Sequence, residues 1–428
     1  MNKKLFKSAL ALSISLASTS LFAGGFALNE QSISSMGTGY AGRSSSADDA
    51  STVYGNPAGM SRLKQNEVSI GATYLDASSN IKNASSSQFG ANNPGTDKGD
   101  MVPGIAVPMG YLVTPIDEHW AFGLGIYAPF GLETDYENAF QGNGFGSKSV
   151  IKVVTVQPTV SYAFNDKVSV GFGPTFNRIS GELDSNVPLG GGAGEQVKIK
   201  GNDTATGFNA GILVQPLEST RIGVTYHSQV VYHLTGKTNA SGLVSDAFDG
   251  GPQRYDASLN VTTPSSVDFS VTHQLNDDWT LYLGSTYTRW SQLKKITVNN
   301  DGVSALTAQF GGLNSITEQQ NWHDTWSHAI GAAYRVNKQL VLRTGFSVDQ
   351  TPTNNTDRSV RIPTGDRTVF SLGAGWTPIE NVTFDVAYSY LKEEPIKVRQ
   401  SQPALGLTYN AKYENSANGF GGSVTYRF

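Results

Sequence analysis

The chain has 428 residues, a net charge of −4 and a pI near 5.9. That balance offers no basic face for nucleic acid, and the absence of cysteine excludes disulfide frameworks and Cys-ligated metals. The length exceeds one ordinary soluble domain, but a closed β-barrel grows by adding strands rather than by enlarging a core.

Residues 1–23 read as a secretory signal. Lys3, Lys4 and Lys7 form its positive region, Leu10 to Leu16 its apolar region, and Ala23 its end, so cleavage is expected before Gly24. Ser13, Ser15, Ser18, Thr19 and Ser20 keep the apolar run well short of the roughly 20 residues a membrane helix needs. Residues 24–65 are rich in small residues and lack strand alternation; a compact non-β segment ahead of an all-β body is the pattern of a plug, or hatch. Within it, Asn56-Pro57-Ala58 reads as a helix start, with Asn as the cap and Pro at the first helical position. Arg43 is expected to form ion pairs with Asp48 and Asp49.

From Glu67 the period becomes two. Val68, Ile70, Ala72 and Tyr74 alternate with Ser69, Gly71 and Thr73; Val382, Phe384, Val386, Tyr388 and Tyr390 alternate with Thr383, Asp385, Ala387 and Ser389. Short connections at Thr114–Glu118, Asn165–Lys167, Pro216–Thr220, Asn276–Asp278, Asn337–Lys338 and Pro378–Asn381 alternate strictly with long ones near 77–100, 131–148, 183–203, 236–257, 299–321, 351–366 and 393–411. A soluble sandwich has the same periodicity but no reason to place every long loop on one side. The pattern over residues 66–428 therefore predicts an all-β protein: a 14-stranded antiparallel transmembrane β-barrel, apolar toward lipid and small-polar toward its lumen, plugged by the small N-terminal segment. The last strand alternates through Phe420, Gly422, Val424 and Tyr426 to Phe428.

One wall breaks strand rules. Pro103 and Pro108 are assigned to the second strand, Pro129 to the third, Pro158 to the fourth and Pro174 to the fifth. Proline removes a ladder donor and belongs at edges or bulges, so a distorted wall is predicted, kinked around Pro129-Phe130-Gly131.

Gly25-Phe26-x-Leu28-Asn29-Glu30, Ala47-Asp48-Asp49-Ala50 and Asn56-Pro57-Ala58 resemble the FadL/TodX family of outer-membrane transporters for long-chain fatty acids and hydrocarbons. The likeness continues through Ala128-Pro129-Phe130-Gly131-Leu132, Trp290-Ser291-Gln292, Arg343-Thr344-Gly345, Ile362-Pro363 with Asp366-Arg367, and the terminal Phe. The resemblance implies a monomeric barrel in the outer membrane of a Gram-negative bacterium, with a hatch of short helices and no cofactor. A C-terminal strand ending in Phe428 would address it to the barrel assembly machinery. It implies passive, ligand-gated uptake of a hydrophobic compound, most of all a long-chain fatty acid. The ligand would meet an external groove, then a lumen pocket reached by the N-terminal peptide with Phe26 and Leu28. It would leave sideways into outer-membrane lipid through a kink that maps to Pro129, Phe130 and Gly131. Alternatives are uptake of aromatic hydrocarbons or alkanes, a diffusion porin, or a structural outer-membrane protein.

Lumen charges are candidates to meet a carboxylate head group: Arg343 and Asp385 each alternate inward in clear strands, Lys294 follows the inward register of Thr286, Thr288 and Trp290, and Arg178 lies beyond Pro174, whose effect on the register decides its face. The competing reading is mutual charge pairing in a wet lumen. Leu243, Val244, Ala247 and Phe248 form an apolar cluster on a polar loop, a candidate external groove. The third long loop, Gly190-Gly191-Gly192-Ala193-Gly194, departs from the family's longer helical loop. Enzyme readings find little support. His227 and His233 lie about 20 Å apart along a strand, and no Gly-x-Ser-x-Gly occurs.

Overall fold

The computed structural model describes residues 24–188 and 194–428. The signal-like stretch 1–23 and most of the glycine-rich third loop lie outside the described residues. Fourteen antiparallel strands close into a barrel: β1 (Glu67–Gln88), β2 (Ile105–Pro115), β3 (Trp120–Asp135), β4 (Lys148–Asn165), β5 (Val168–Pro188), β6 (Gly194–Leu217), β7 (Thr220–His227), β8 (Ser266–Gln274), β9 (Trp279–Thr288), β10 (Thr325–Arg335), β11 (Leu340–Asp349), β12 (Arg367–Ile379), β13 (Val382–Glu393) and β14 (Leu407–Arg427). Each pairs with its neighbours, and β14 closes on β1 from Glu67–Arg427 to Gln88–Leu407. The predicted short turns stand at one end. At the other, the hairpin of β5 and β6 is extended by loop strands: β6 pairs with Val230–Gly242, that strand with Gln253–Thr263, that one with Lys295–Asp301, and the last with Ser315–Gln319.

The period-two pattern sets the two faces. Tyr74, Phe172, Leu283, Ile330, Phe370, Val386 and Phe420 are exposed outward, while Thr73, Gln157, Thr225, Asp268, Ser270 and Asp385 are buried inward. Trp120, Phe164, Trp279, Trp376 and Phe428 are exposed beside the short turns, the aromatic girdle expected at one membrane interface.

The hatch lies in the lumen. It carries helix α1 (Ile33–Gly37), helix α2 (Thr52–Gly55) and a 3-10 turn over Pro57–Arg62. Ser32 caps α1 by accepting from the Ser35 N–H, and Asn56 caps the 3-10 turn by accepting from the Ala58 N–H, with Pro57 at its first position. The hatch backbone rests on a belt of glycines running around the wall. A Cβ on Gly171 would come 2.3 Å from the Pro57 carbonyl carbon, on Gly223 1.8 Å from the Ser44 oxygen, on Gly284 2.3 Å from the Ala41 oxygen, on Gly331 2.5 Å from the Thr38 oxygen, and on Gly345 2.0 Å from the Thr38 carbonyl carbon. On β8, between Gly223 and Gly284, Ser270 takes the same place and accepts from the Ser44 N–H at 3.0 Å.

The proline predictions divide. Pro103 precedes β2 instead of lying in it, because that strand begins only at Ile105. Pro158 and Pro174 face each other across β4 and β5, and the ladder is interrupted between Val156–Phe176 and Val160–Phe172. Neither proline has an N–H to give, so the rungs between cannot form. Pro129 does not end β3. The strand continues to Asp135, with a register shift against β4 between Tyr127 and Phe130 that leaves Ala128 and Pro129 outside the ladder.

Candidate functional site

The wall has a slit. β2 pairs with β1 from Ile105 to Val113, and β3 pairs with β4 up to Asp135, but β2 and β3 pair with each other only from Gly110–Ile126 to Pro115–Ala121. Above Gly110 the two strands part. Among the described residues, the segments leading into β2 and out of β3 meet again where the Asp135 N–H donates to the Met101 oxygen at 2.7 Å. The bulge at Ala128–Pro129 turns the upper part of β3 away from β2 and frees its inner edge.

The N-terminal peptide occupies that edge. Ala27 bridges antiparallel to Phe130; the Leu28 N–H donates to the Pro129 oxygen at 2.9 Å and the Gly131 N–H to the Phe26 oxygen at 2.9 Å. The Gln31 side-chain amide donates to the Ala128 oxygen at 2.6 Å. These bonds satisfy backbone groups that would be costly to leave bare at membrane depth. Leu28 packs with Leu75, Ile105, Val107 and Ala128, spanning both lips of the slit. Phe26, 1% exposed, sits in an aromatic box. Its ring lies 5.0 Å from Trp290, 5.8 Å from Phe130 and 6.0 Å from Trp322, centroid to centroid.

Beneath the box is a cavity of about 40 Å³ lined by Glu30, Tyr40, Arg43, Asp268, Asp349 and Arg367, with Leu75 and Ala417 beside them. Arg367 pairs with Asp349, which also accepts from the Gly24 N–H at 3.1 Å. Below the hatch a polar vestibule of about 480 Å³ opens at the short-turn end, lined by Asp48, Arg221, Arg335, Tyr282 and the Arg343–Asp385 pair. Above the box, loop 350–366 covers the lumen. Val360 and Ile362 join the apolar cluster around Phe26, and Arg361 reaches the Lys148 and Asp184 carbonyls and the Glu318 carboxylate.

The sequence pattern described as "Outer membrane protein transport protein (OMPP1/FadL/TodX)" matches residues 14–428. The chain belongs to this family. FadL/TodX proteins are outer-membrane transporters of hydrophobic compounds, not enzymes. Outer membrane protein P1 of Haemophilus influenzae is 28% identical, with all of both chains covered. The long-chain fatty acid transport protein of Escherichia coli K12 is 27% identical over 100% of this chain and 99% of its own. Among solved structures, a Pseudomonas aeruginosa FadL homologue superposes with a TM-score of 0.86 at 25% identity, covering 94% of this chain and 100% of that one. The Ralstonia pickettii toluene transporter TbuX shares the fold, with a TM-score of 0.64 at 21% identity over 89% and 94%. These matches place the protein in the outer membrane.

Within this family frame the residues singled out from sequence are distributed unevenly. Phe26, Leu28, Pro129, Phe130 and Gly131 converge at the slit. Asn56, Pro57 and Ala58 touch the wall elsewhere: the Asn56 amide donates to the Ser44 oxygen at 2.7 Å and to the Ile212 oxygen at 3.0 Å, and Ser169 donates to the Ala58 oxygen at 2.9 Å. The link from hatch to kink runs through Gln157, which donates to the Val53 oxygen at 2.9 Å and accepts from the Tyr127 hydroxyl. Arg43 does not pair with Asp48 or Asp49. It donates to Asn29 at 2.8 Å and faces the upper cavity, whereas Asp48 faces the vestibule and Asp49 accepts from Ser34.

The head-group candidates are corrected. Arg178 points outward, on the parity of exposed Phe172 and Phe176, because Pro174 does not shift the register of β5 against β6. Lys294 is exposed outside the lumen register, since β9 ends at Thr288 and a 3-10 turn over Trp290–Gln292 intervenes. Arg343 is inward and pairs with Asp385 at 2.6 Å, its side chain packed against Gly37 of α1. Leu243 and Phe248 lie on an external helix, α3 (Leu243–Asp249), which meets helix α4 (Ala305–Gly311); Phe248 stacks on Phe310 at 5.4 Å, and Leu243, Leu306 and Phe310 are exposed. Trp322 and Arg367 gave little periodic signal, because one lies in a loop and the other begins a strand.

Proposed function

We propose that this protein carries long-chain fatty acids across the outer membrane, with the N-terminal peptide as the gate and the slit between β2 and β3 as the lateral exit. The observation carrying the reading is the antiparallel bridge of Ala27 to Phe130, which fills a wall gap with a segment bound to no neighbouring strand on its other side by a ladder. The path starts at the exposed patch of α3 and α4. It continues through an apolar slot of about 50 Å³ lined by Ile151, Ile179, Leu183, Leu234 and Ile296, and reaches the box around Phe26. Each buried methylene contributes about 0.8 kcal/mol, so a fully buried chain of about sixteen carbons would be held by roughly 12 kcal/mol. A peptide that competes for the same apolar space weakens that hold and lets the ligand leave. The polar cavity with Arg43 and Arg367 gives a carboxylate a charged end beside an apolar one. Full-length relatives bearing the fatty-acid name support the choice of ligand.

The test uses the absence of native cysteine. Ala27 and Phe130 form a pair flanked by hydrogen bonds instead of sharing them, with Cα atoms about 4.5 Å apart in such pairs, within reach of a disulfide. In Ala27→Cys/Phe130→Cys, oxidation is expected to abolish uptake of labelled oleate and reduction to restore it, with each single variant as a control. Uptake that survives the crosslink overturns the gate. A second reading, uptake of aromatic hydrocarbons, draws on the box of Phe26, Phe130, Trp290 and Trp322; labelled toluene in the same cells separates the two. Large steady ion conductance of the wild-type protein in planar bilayers would support a porin instead.

A further inference from the structure

The outer face carries a row of like charges that the fold neutralises only in part. Lys82 on β1 pairs directly with Lys412 on β14, and Lys412 with Lys397 on the loop strand Ile396–Gln402. Directly paired residues share a face. That face is the outer one: Tyr74 and Phe420, the same even number of residues below Lys82 and Lys412, are exposed outward with no register shift between. Arg399 lies one outward position beyond Lys397, and Lys392 on β13 faces the same way, paired with Ser416. All five cations are at least partly exposed.

Like charges placed directly opposite each other are destabilising. Glu414 bridges two of them, at 2.7 Å from Lys82 and 2.8 Å from Lys412. Lys397, Arg399 and Lys392 have no carboxylate partner among the described residues. Of the acids close by, Glu393 beside Lys392 is buried inward and held by Thr364, Gly365 and Asn415, Glu394 in the turn before the loop strand is exposed, and Asp76 lies six residues toward the membrane from Lys82. A second lysine pair in the barrel is treated differently. Lys200 and Lys237 also lie directly opposite, but Glu182 and Asp256 bracket them in the same row, with Lys200 at 3.0 Å from Glu182 and Lys237 bonded to Asp256. That row is closed on itself; the row of Lys82, Lys412 and Lys397 is open.

Its height selects a ligand. Tyr390, paired with Asn418, stands one outward row above Tyr74 and Phe420; all three are exposed, and they mark an aromatic girdle on this side of the barrel toward the long-loop end. Lys392 lies about 7 Å beyond Tyr390 along the strand, and the Lys412 row about 20 Å beyond. A strand tilt of about 45° brings these to roughly 5 and 14 Å above the girdle. Uncompensated cations at that height, facing away from the lumen, meet the head-group layer of the outer leaflet. We propose that this patch binds the phosphate groups of the phosphorylated glycolipid of the outer leaflet, lipopolysaccharide, with Lys397, Arg399 and Lys392 as its phosphate ligands. Bound phosphate supplies the countercharge that the row lacks, through charge-assisted hydrogen bonds.

The experiment measures glycolipid retained by the purified full chain, by native mass spectrometry in detergent after addition of a rough-type lipopolysaccharide. Wild type is expected to retain it, and Lys397→Gln/Arg399→Gln to bind it about thirtyfold more weakly, from about 1 kcal/mol per basic residue near an anionic surface at about 1.4 kcal/mol per tenfold. Lys200→Gln/Lys237→Gln, the same charge change in the bracketed row, is expected to bind as wild type does. Heat-modifiable migration on gels checks that each barrel is folded. Enzymatically dephosphorylated glycolipid is expected not to be retained. Equal binding by the Lys397/Arg399 variant, or equal retention of the dephosphorylated form, overturns the proposal. Inorganic phosphate that displaces the glycolipid completely at low millimolar concentration assigns the patch to free phosphate and overturns the lipid assignment.

Discussion

Replacing Phe26 with Ala should release the N-terminal peptide while leaving the barrel intact. Phe26 is fully buried and touches Trp290, Trp322 and Phe130 in edge-on or tilted geometry. Truncating a buried Phe costs about 3–5 kcal/mol, and each well-placed aromatic pair adds about 0.5–1.5 kcal/mol. The peptide's other anchors are the two backbone bonds to Pro129 and Gly131, the Gln31 side-chain bond to Ala128, the Tyr111 hydroxyl bond to the Gln31 oxygen, the Gly24 bond to Asp349 and the buried Leu28 side chain. Among the described residues, no bond between barrel strands involves Phe26, whose carbonyl accepts from the Gly131 N–H on the free edge of β3. A loss at the low end of that range raises local opening more than about a hundredfold, at about 1.4 kcal/mol per tenfold. Hydrogen exchange read by mass spectrometry on peptides containing Leu28 and Gly131 measures this directly, with strand peptides of β9 to β12 as the internal reference. Unchanged protection at Leu28 and Gly131 would refute the claim that the aromatic box holds the peptide in the slit.

Gly171→Ala should unseat the hatch, because its Cβ would lie 2.3 Å from Pro57 and 2.4 Å from Ala58 backbone atoms; increased single-channel conductance is expected, and a closed channel would count against the glycine seat. Asp385→Asn breaks the buried pair with Arg343 and should cost about 3–5 kcal/mol, read as a lower heat-modification temperature; if Arg343 instead served the ligand head group, oleate affinity would change before stability did. Asp249 accepts from Thr307 at 2.6 Å and Tyr255 at 3.1 Å, and the Thr307 bond, with Ser304, holds its pKa below the ordinary value. A depressed carboxylate contributes stability above its unfolded pKa, near 3.9, that is lost as pH falls through the folded one. The α3–α4 contact should therefore loosen only under strong acid, and Asp249→Asn should loosen it at neutral pH; exchange at residues 305–311 checks both.

The barrel was legible because period two, aromatic ends and alternating connection length are all local patterns, and each strand's two faces follow from its own residues. The lumen's small-residue face was visible too, but its meaning was not. Gly223, Gly284 and Gly331 look like ordinary strand glycines until the hatch backbone is seen against them. The kink was legible at Pro129, since a missing N–H has one local consequence, whereas the parting of β2 from β3 is a relation between strands that neither announces. Head-group candidates failed for a related reason. An inward Arg178 needs a register shift at Pro174, and the register does not shift; an inward Lys294 extends a parity past a strand that has already stopped at Thr288. Asn56-Pro57-Ala58 is legible as a capped turn from its residue types alone, whereas its contact with β5 and β6 is a relation between distant segments.

The glycine belt has a consequence for biogenesis. The hatch precedes every barrel strand in the chain, but its seat is built from strands between β5 and β12, which lie hundreds of residues later in some cases. It cannot dock until those strands stand side by side, so seating comes late and closes loops of very high sequence separation, a slow class of event. Until then the newly closed barrel is an unplugged hole in the cell's outermost barrier. A substitution that fills one belt glycine would lengthen that interval, and its cost would fall first on envelope integrity during growth, as sensitivity to large antibiotics, before any effect on nutrition was felt.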